Sequence, residues 1–180
     1  EKAAIILVAR ATVAPTTFFS EAAGTLSGTE ETPMPSLMRQ INVISRCGGQ
    51  YRTARLEETG LAGYQGNYLL CVCKNPGISQ DQVARRIYVN KSNAARALSA
   101  LETLGYVERR QSETDRRVTL VYPTEKALEI VPLINRVNCE WTEYITEGFT
   151  PDELDQFLQM MERVFERAKD YVDGKAEERR

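Results

Sequence analysis

The 180-residue chain has 42% hydrophobic residues, enough for a sizeable core in one domain or a small two-part unit, and a formal net charge of −2. It contains no histidine, which removes the commonest general base, the Ser-His and Cys-His nucleophile pairs, and imidazole metal ligation. No apolar run approaches the ~20 residues that span a bilayer, so a cytoplasmic protein with no membrane partner is expected.

Residues 1–34 stand apart from the rest. A short apolar run from Ala3 to Ala9 precedes a low-charge tract rich in Ala, Thr, Ser and Gly, with no sustained helical period. This suits a disordered tail, a docking strand or an artefact of the gene start. A secretory signal fits less well, because the run is short and Arg10 interrupts it, and Met34 fits a natural start.

Over residues 37–58, Leu37, Ile41, Ile44, Cys47 and Tyr51 recur at helical spacing, with Ser36 as the cap after Pro35. Gly48 and Gly49 each lower helix propensity by ~1 kcal/mol relative to alanine, so a kink or a close helix contact is expected there. A second helix over residues 64–74 carries Tyr68, Leu69 and Val72 and is closed by Asn75-Pro76-Gly77.

Residues 79–123 organise the chain. Ser79 and Gln82 form a capping box that opens a short helix bearing Val83, Ala84 and Ile87. Tyr88 and Val89 continue a helix poorly, Asn90 can cap the next one, and Ala94, Leu98, Leu101 and Leu104 then mark a helix from Lys91 to a stop at Gly105. Two segments with strand character, 106–110 and 118–122, flank the polar stretch QSETDRR. Helix, turn, helix, β-hairpin is the order of a winged helix-turn-helix. The expected fold is therefore mainly α with a small β-hairpin wing.

Local charge differs from the overall balance. From Lys74 to Lys126 there are ten basic residues (Lys74, Arg85, Arg86, Lys91, Arg96, Arg109, Arg110, Arg116, Arg117, Lys126) and six acidic ones (Asp81, Glu102, Glu108, Glu113, Asp115, Glu125), a net of +4. On the second helix, Ser92, Asn93 and Arg96 lie away from Leu98 and Leu101 and have the donors and acceptors that read base edges in a major groove. Arg116 and Arg117 occupy the hairpin tip, a shape that enters a minor groove. With Gln80, Lys91, Arg109, Arg110 and Asp115 they make the candidate DNA-binding set. A solvated basic face would explain the charge but not the agreement of element order, polarity and tip composition.

Residues 124–148 form a long amphipathic stretch with Leu128, Val131, Ile134, Val137, Trp141 and Ile145 on one stripe. Pro132 should bend this helix near Leu128, whose carbonyl loses its donor. Thr150-Pro151-Asp152-Glu153 opens a final helix whose stripe, Leu154 to Tyr171, is wider than one neighbour would bury. The simplest partner is a second copy related by a two-fold axis. Two recognition helices so related meet successive major grooves ~34 Å apart on a pseudo-palindromic operator. Residues 139–180, with twelve acidic and six basic side chains, should face away from phosphate.

Enzymatic chemistry finds no support. Gly60, Gly63 and Gly66 have no preceding strand to make a phosphate loop, and the pairs Glu57-Glu58 and Asp152-Glu153 sit at helix ends. No catalytic residue, cofactor or metal is assigned. Cys71 and Cys73 would point about 200° apart on a helix, which opposes a shared metal, and no disulfide framework is implied.

The run LSALETLGYVERRQSETDRRVTLVYPTEKA resembles the wing signature of the MarR family of bacterial transcription regulators. The resemblance extends over residues 37–172. It implies that Asp115 orients the wing and Arg117 reaches the minor groove, that helices over 36–60 and 124–173 dimerise, and that residues 62–123 bind DNA. Pro123 stands where the family usually has Leu and Ala127 where it usually has Gly, which implies a different entry into the following helix. Family likeness also suggests two means of release. One is thiol oxidation at Cys47 in the first helix, against the plainer role of a small core residue. The other is a small aromatic or phenolic effector held by Tyr51, Arg55, Tyr64 and Tyr68, which otherwise serve as core tyrosines and an ion pair. The expected function is a homodimeric, sequence-specific regulator of transcription acting as a repressor; the alternative is a winged-helix dimer that serves as a protein interaction module.

Overall fold

The computed structural model of the protein describes Leu37–Glu177, with side chains as far as Gly174. The expected tail over residues 1–34, its Met34 start and the Ser36 cap lie outside the described residues. The helices are α1 (Leu37–Arg55), α2 (Gln65–Lys74), α3 (Gln80–Arg86), α4 (Lys91–Thr103), α5 (Glu125–Ile145) and α6 (Pro151–Glu177). Strands β1 (Ile78–Ser79), β2 (Val107–Gln111) and β3 (Thr119–Pro123) form one antiparallel sheet in the order β1-β3-β2.

Capping explains where the central helices start. Ser79 accepts from the Gln82 N–H at 3.2 Å while the Gln82 side chain accepts from the Ser79 N–H at 3.0 Å, completing the capping box. Asn90 Oδ1 accepts from the Asn93 N–H at 2.7 Å and starts α4. The two helices end alike. After α4, Tyr106 N–H bonds to Leu101 O and Gly105 N–H to Glu102 O, with Gly105 at φ 76°. After α3, Val89 N–H bonds to Ala84 O and Tyr88 N–H to Arg85 O, with Tyr88 at φ 54°. Both are Schellman-type caps, whose left-handed residue is normally glycine. Among the described residues Tyr88 is the non-glycine with positive φ, a conformation that costs on the order of 1–3 kcal/mol.

The core joins the helix-turn-helix to the start of α5. Leu69 and Val72 of α2, Val83 of α3, Leu98 and Leu101 of α4, Val121 of β3, and Ala127 and Ile134 of α5 are all buried together. Each large aliphatic side chain so buried contributes about 1.5–3 kcal/mol relative to exposure. Tyr106 is buried as well, and its hydroxyl donates to Thr59 O at 2.9 Å, tying the entry of the wing to the loop after α1.

The Gly48-Gly49 pair marks a close contact between helices. A Cβ on Gly48 would lie 2.9 Å from Trp141 Nε1 of α5, so only hydrogen fits beneath that indole. A Cβ on Gly63 would lie 2.4 Å from the Gly49 carbonyl oxygen, so the loop backbone rests directly on α1. Thr53 Oγ1 fastens that contact, donating to Gly49 O at 2.9 Å and accepting from Gly63 N–H at 2.8 Å.

Several boundaries differ from expectation. α1 ends at Arg55 rather than near residue 58, because Leu56 turns into the core at 0% exposure and a 3-10 turn follows over Glu57–Thr59. α2 starts at Gln65, whose buried side chain accepts from Ala62 N–H at 2.7 Å. β1 adds a third strand to the wing through pairs of Ile78 with Val121 and Ser79 with Leu120. The expected long amphipathic stretch is met by α5, one helix that includes Pro132. No helix among the described residues is long and apolar enough to cross a membrane.

Candidate nucleic-acid interface

α4 presents one polar edge outward. Ala94, Ala97, Leu98 and Leu101 are buried, while Ser92 and Arg96 are exposed and Asn93 half-exposed. Asn93 Oδ1 accepts from Arg96 Nη2, so the guanidinium is held beside the amide instead of sweeping freely. Lys91 is ion-paired with Asp81 of α3, although its side chain stays 67% exposed. Gln80 is the first residue of α3 and half-exposed. An exposed pair such as Lys91–Asp81 contributes little to stability, about 0–1 kcal/mol.

The wing is clamped to α4 from one side. Alternation along β2 points Val107, Arg109 and Gln111 one way and Glu108 and Arg110 the other. Arg109 faces α4, where Glu102 Oε2 accepts from its Nη2 at 2.6 Å and its Nε at 2.8 Å, and Oε1 accepts from its backbone N–H at 3.1 Å. Its Nη2 also reaches Ser99 Oγ at 3.3 Å. The Arg109 guanidinium hydrogen-bonded to Glu102 holds that carboxyl below the usual carboxylate range. The Arg109 side chain is only 27% exposed, so it joins α4 to the wing rather than standing free. Arg110, on the other face, pairs with Glu108 and lies 4.9 Å above the Tyr122 ring.

The tip has its own scaffold. Asp115 Oδ1 accepts from Arg117 N–H at 2.9 Å, and its carbonyl accepts from Val118 N–H at 2.9 Å. Ser112 Oγ accepts from the Thr114 and Asp115 N–H groups at 3.3 and 3.4 Å. Asp115 thus shapes the turn from which Arg116 and Arg117 project exposed. Glu102 and Ser112, both needed for this arrangement, are the residues that sequence reasoning missed. Their signal was spacing alone: Glu102 precedes Arg109 by seven positions across the Gly105 turn, and Ser112 precedes Asp115 by three.

The effector candidates fall into two pairs. Tyr51 and Arg55 converge on Glu140 of α5, with the Tyr51 hydroxyl donating at 3.2 Å and Arg55 Nη2 at 2.6 Å. Those bonds, that from Arg55 foremost, lower the Glu140 pKa. The Tyr51 ring tilts against Trp141 with centroids 5.3 Å apart. Tyr64 and Tyr68 meet edge to face at 6.2 Å, Tyr64 being exposed and Tyr68 buried. Arg52, one position from Tyr51, has its Nε buried without a hydrogen-bond partner. Cys47 and Cys139 are exposed, whereas burial pushes the half-buried Cys71 and Cys73 thiols up.

The same architecture recurs in known proteins. A family model described as "MarR family" matches residues 59–118. The HTH-type transcriptional regulator YybA of Bacillus subtilis (strain 168) is 31% identical over 142 residues, which span 77% of this chain and 95% of that protein. This chain belongs to the MarR family. The family and its relatives are transcription regulators, not enzymes. Among solved structures, a crystal structure of MarR aligns to this MarR-family chain with a TM-score of 0.69 and 33% identity, over 74% of this chain and 97% of that one. A MarR-family regulator from Listeria monocytogenes, crystallised with a 26mer DNA, aligns with a TM-score of 0.69 and 30% identity, covering 78% and 95% of the two chains.

Proposed function

We propose that this chain is a homodimeric repressor that binds a pseudo-palindromic duplex, with α4 in the major groove and the wing in the minor groove. The observation that carries this reading is the outward edge of Ser92, Asn93 and Arg96 on α4, locked through Glu102 and Arg109 to a wing tipped by Arg116 and Arg117. Base edges are read by the α4 side chains, whereas Lys91, Arg110, Arg116 and Arg117 meet phosphate or the minor groove. Gln80 contacts the backbone at the start of α3. Arg109 and Asp115 act by position, since both spend their polar atoms on α4 and the wing turn.

Surplus apolar surface supports the dimer. On α6, Leu158, Val164, Phe165, Tyr171 and Val172 stay 40–65% exposed, and on α1 Leu37, Met38, Val43 and Ile44 stay 48–62% exposed. Patches of this kind on terminal helices fit an isologous interface. In this reading residues 36–60 and 124–173 serve dimerisation, residues 62–123 bind DNA, and the protein acts in the cytoplasm.

Release has two candidate triggers. An aromatic acid would find Tyr51 and Trp141 as a wall and Arg52 as its cation, because Arg55 is already satisfied by Glu140. Oxidation of exposed Cys47 on α1 is the other route. Selection of binding sites from random duplex DNA, repeated with peroxide, with reductant and with a panel of aromatic acids, tests the reading and both triggers. Failure to enrich a sequence refutes DNA readout, and enrichment unaffected by every additive refutes both triggers.

A further inference from the structure

The turn between α3 and α4 closes on a residue that backbone chemistry disfavours. Gly105 fills the left-handed position after α4, whereas Tyr88 fills the equivalent position after α3 at φ 54°. Glycine or asparagine would adopt that conformation at lower cost, so the side chain has to be explained by what it reaches. The Tyr88 ring is 43% exposed and therefore not held by core packing. Its hydroxyl donates to Asp173 Oδ2 at 3.3 Å, 85 positions later on α6. One turn before Asp173, Lys169 is bonded to Glu166 at 2.8 and 3.0 Å and lies 5.1 Å from the Phe165 ring centroid. Asp173 is thus the point at which α6 meets the turn.

That turn governs α4. Tyr88 lies two residues before Asn90, whose side chain caps the reading helix. A displacement at Tyr88 is passed to α4 through a single intervening residue, Val89, whose N–H is bonded back to Ala84 O at 2.9 Å. We propose that Tyr88 is a positioning residue, its hydroxyl bracing the helix-turn-helix against α6 through Asp173 and so fixing the separation of the two reading helices in the dimer. The proposal rests on the DNA reading above. It deepens that reading by assigning half-site spacing to a contact far from the base-reading edge.

The test uses the full chain with Tyr88→Phe, Asp173→Ala, the double variant and Tyr88→Asn. Phenylalanine keeps the ring and its φ and removes only the hydroxyl; asparagine relieves the backbone but removes the brace. Two readouts are taken: hydrogen exchange over the α3–α4 turn and the end of α6 in free protein, and affinity for selected duplexes whose half-sites are moved by one base pair either way. The expected result is about two- to tenfold faster exchange in both segments, the factor corresponding to one hydrogen bond's net contribution. Penalties for altered spacing should also shrink, and the double variant should be no worse than either single one. Tyr88→Asn should match Tyr88→Phe in spacing tolerance while melting no lower than wild type. Unchanged exchange and unchanged spacing preference in Tyr88→Phe and Asp173→Ala would overturn the brace. If the wild type binds no duplex, the DNA reading fails separately, and exchange alone decides whether the brace exists.

Discussion

Glu102→Gln isolates the join between α4 and the wing. Three hydrogen bonds from Arg109, at 2.6, 2.8 and 3.1 Å, end on this carboxylate, and Gln offers one neutral acceptor in their place. A fully buried charge-assisted bond contributes about 1.5–3 kcal/mol. Here the side chains are 27% and 38% exposed, and solvent screening reduces the whole set to about 1–2 kcal/mol. Because Arg109 lowers the Glu102 pKa in the folded state, the stabilisation is complete above the unfolded carboxylate value and is lost as pH falls through the folded value. Urea unfolding of wild type and variant, at fixed protein concentration so that association does not shift the midpoint, should show the full gap at about pH 7. The gap should close in acid, below the usual carboxylate range of about 4. A gap that stays constant with pH would refute the charge-based join, and the absence of a gap at neutral pH would refute the join itself.

Other variants separate the remaining roles. Arg117→Ala should weaken binding to all duplexes and reduce the slope of log K against log salt by about one, measured by anisotropy across a salt series. Asn93→Ala or Arg96→Ala should each cost about 1–3 kcal/mol on the selected site and relax its sequence preference, as read in a competition with single-base variants. The Asn93 variant keeps its helix, because the Asn90 cap uses the Asn93 backbone. Gly63→Ala should destabilise the fold by more than ~2 kcal/mol, since its Cβ would meet the Gly49 carbonyl and the Thr53 backbone nitrogen at 2.4 and 2.8 Å. A melt within a degree of wild type would show that the loop does not rest on α1.

What could be read in the sequence was local. Ser79 with Gln82, Asn90 and Gly105 each satisfy backbone groups within a few residues, so their spacing alone locates α3, α4 and the stop before β2. β1 escaped because a two-residue strand has no period to detect, and its partner lies over 40 positions away in β3. The burial of Leu56 and Leu61 escaped for a related reason. The segment between α1 and α2 has no helical repeat, and its inward side chains are chosen by the packing of Gly63 on α1. In the candidate site, the exposed edge of α4 and the tip arginines were visible as polarity at known helical and turn positions. The engagement of Arg109 with Glu102 and of Arg55 with Glu140 was not, because composition cannot distinguish a free cation from one already paired across elements.

The central claim is that two copies of this chain read one duplex. It is tested most directly by titrating a selected duplex and the same duplex with one half-site scrambled, each at two salt concentrations, while measuring the mass of the complex. Two chains on the intact site, a loss of about tenfold or more on scrambling, and affinity that falls steeply with salt are the predicted results. A single bound chain, or equal affinity for both duplexes with no salt dependence, would contradict it.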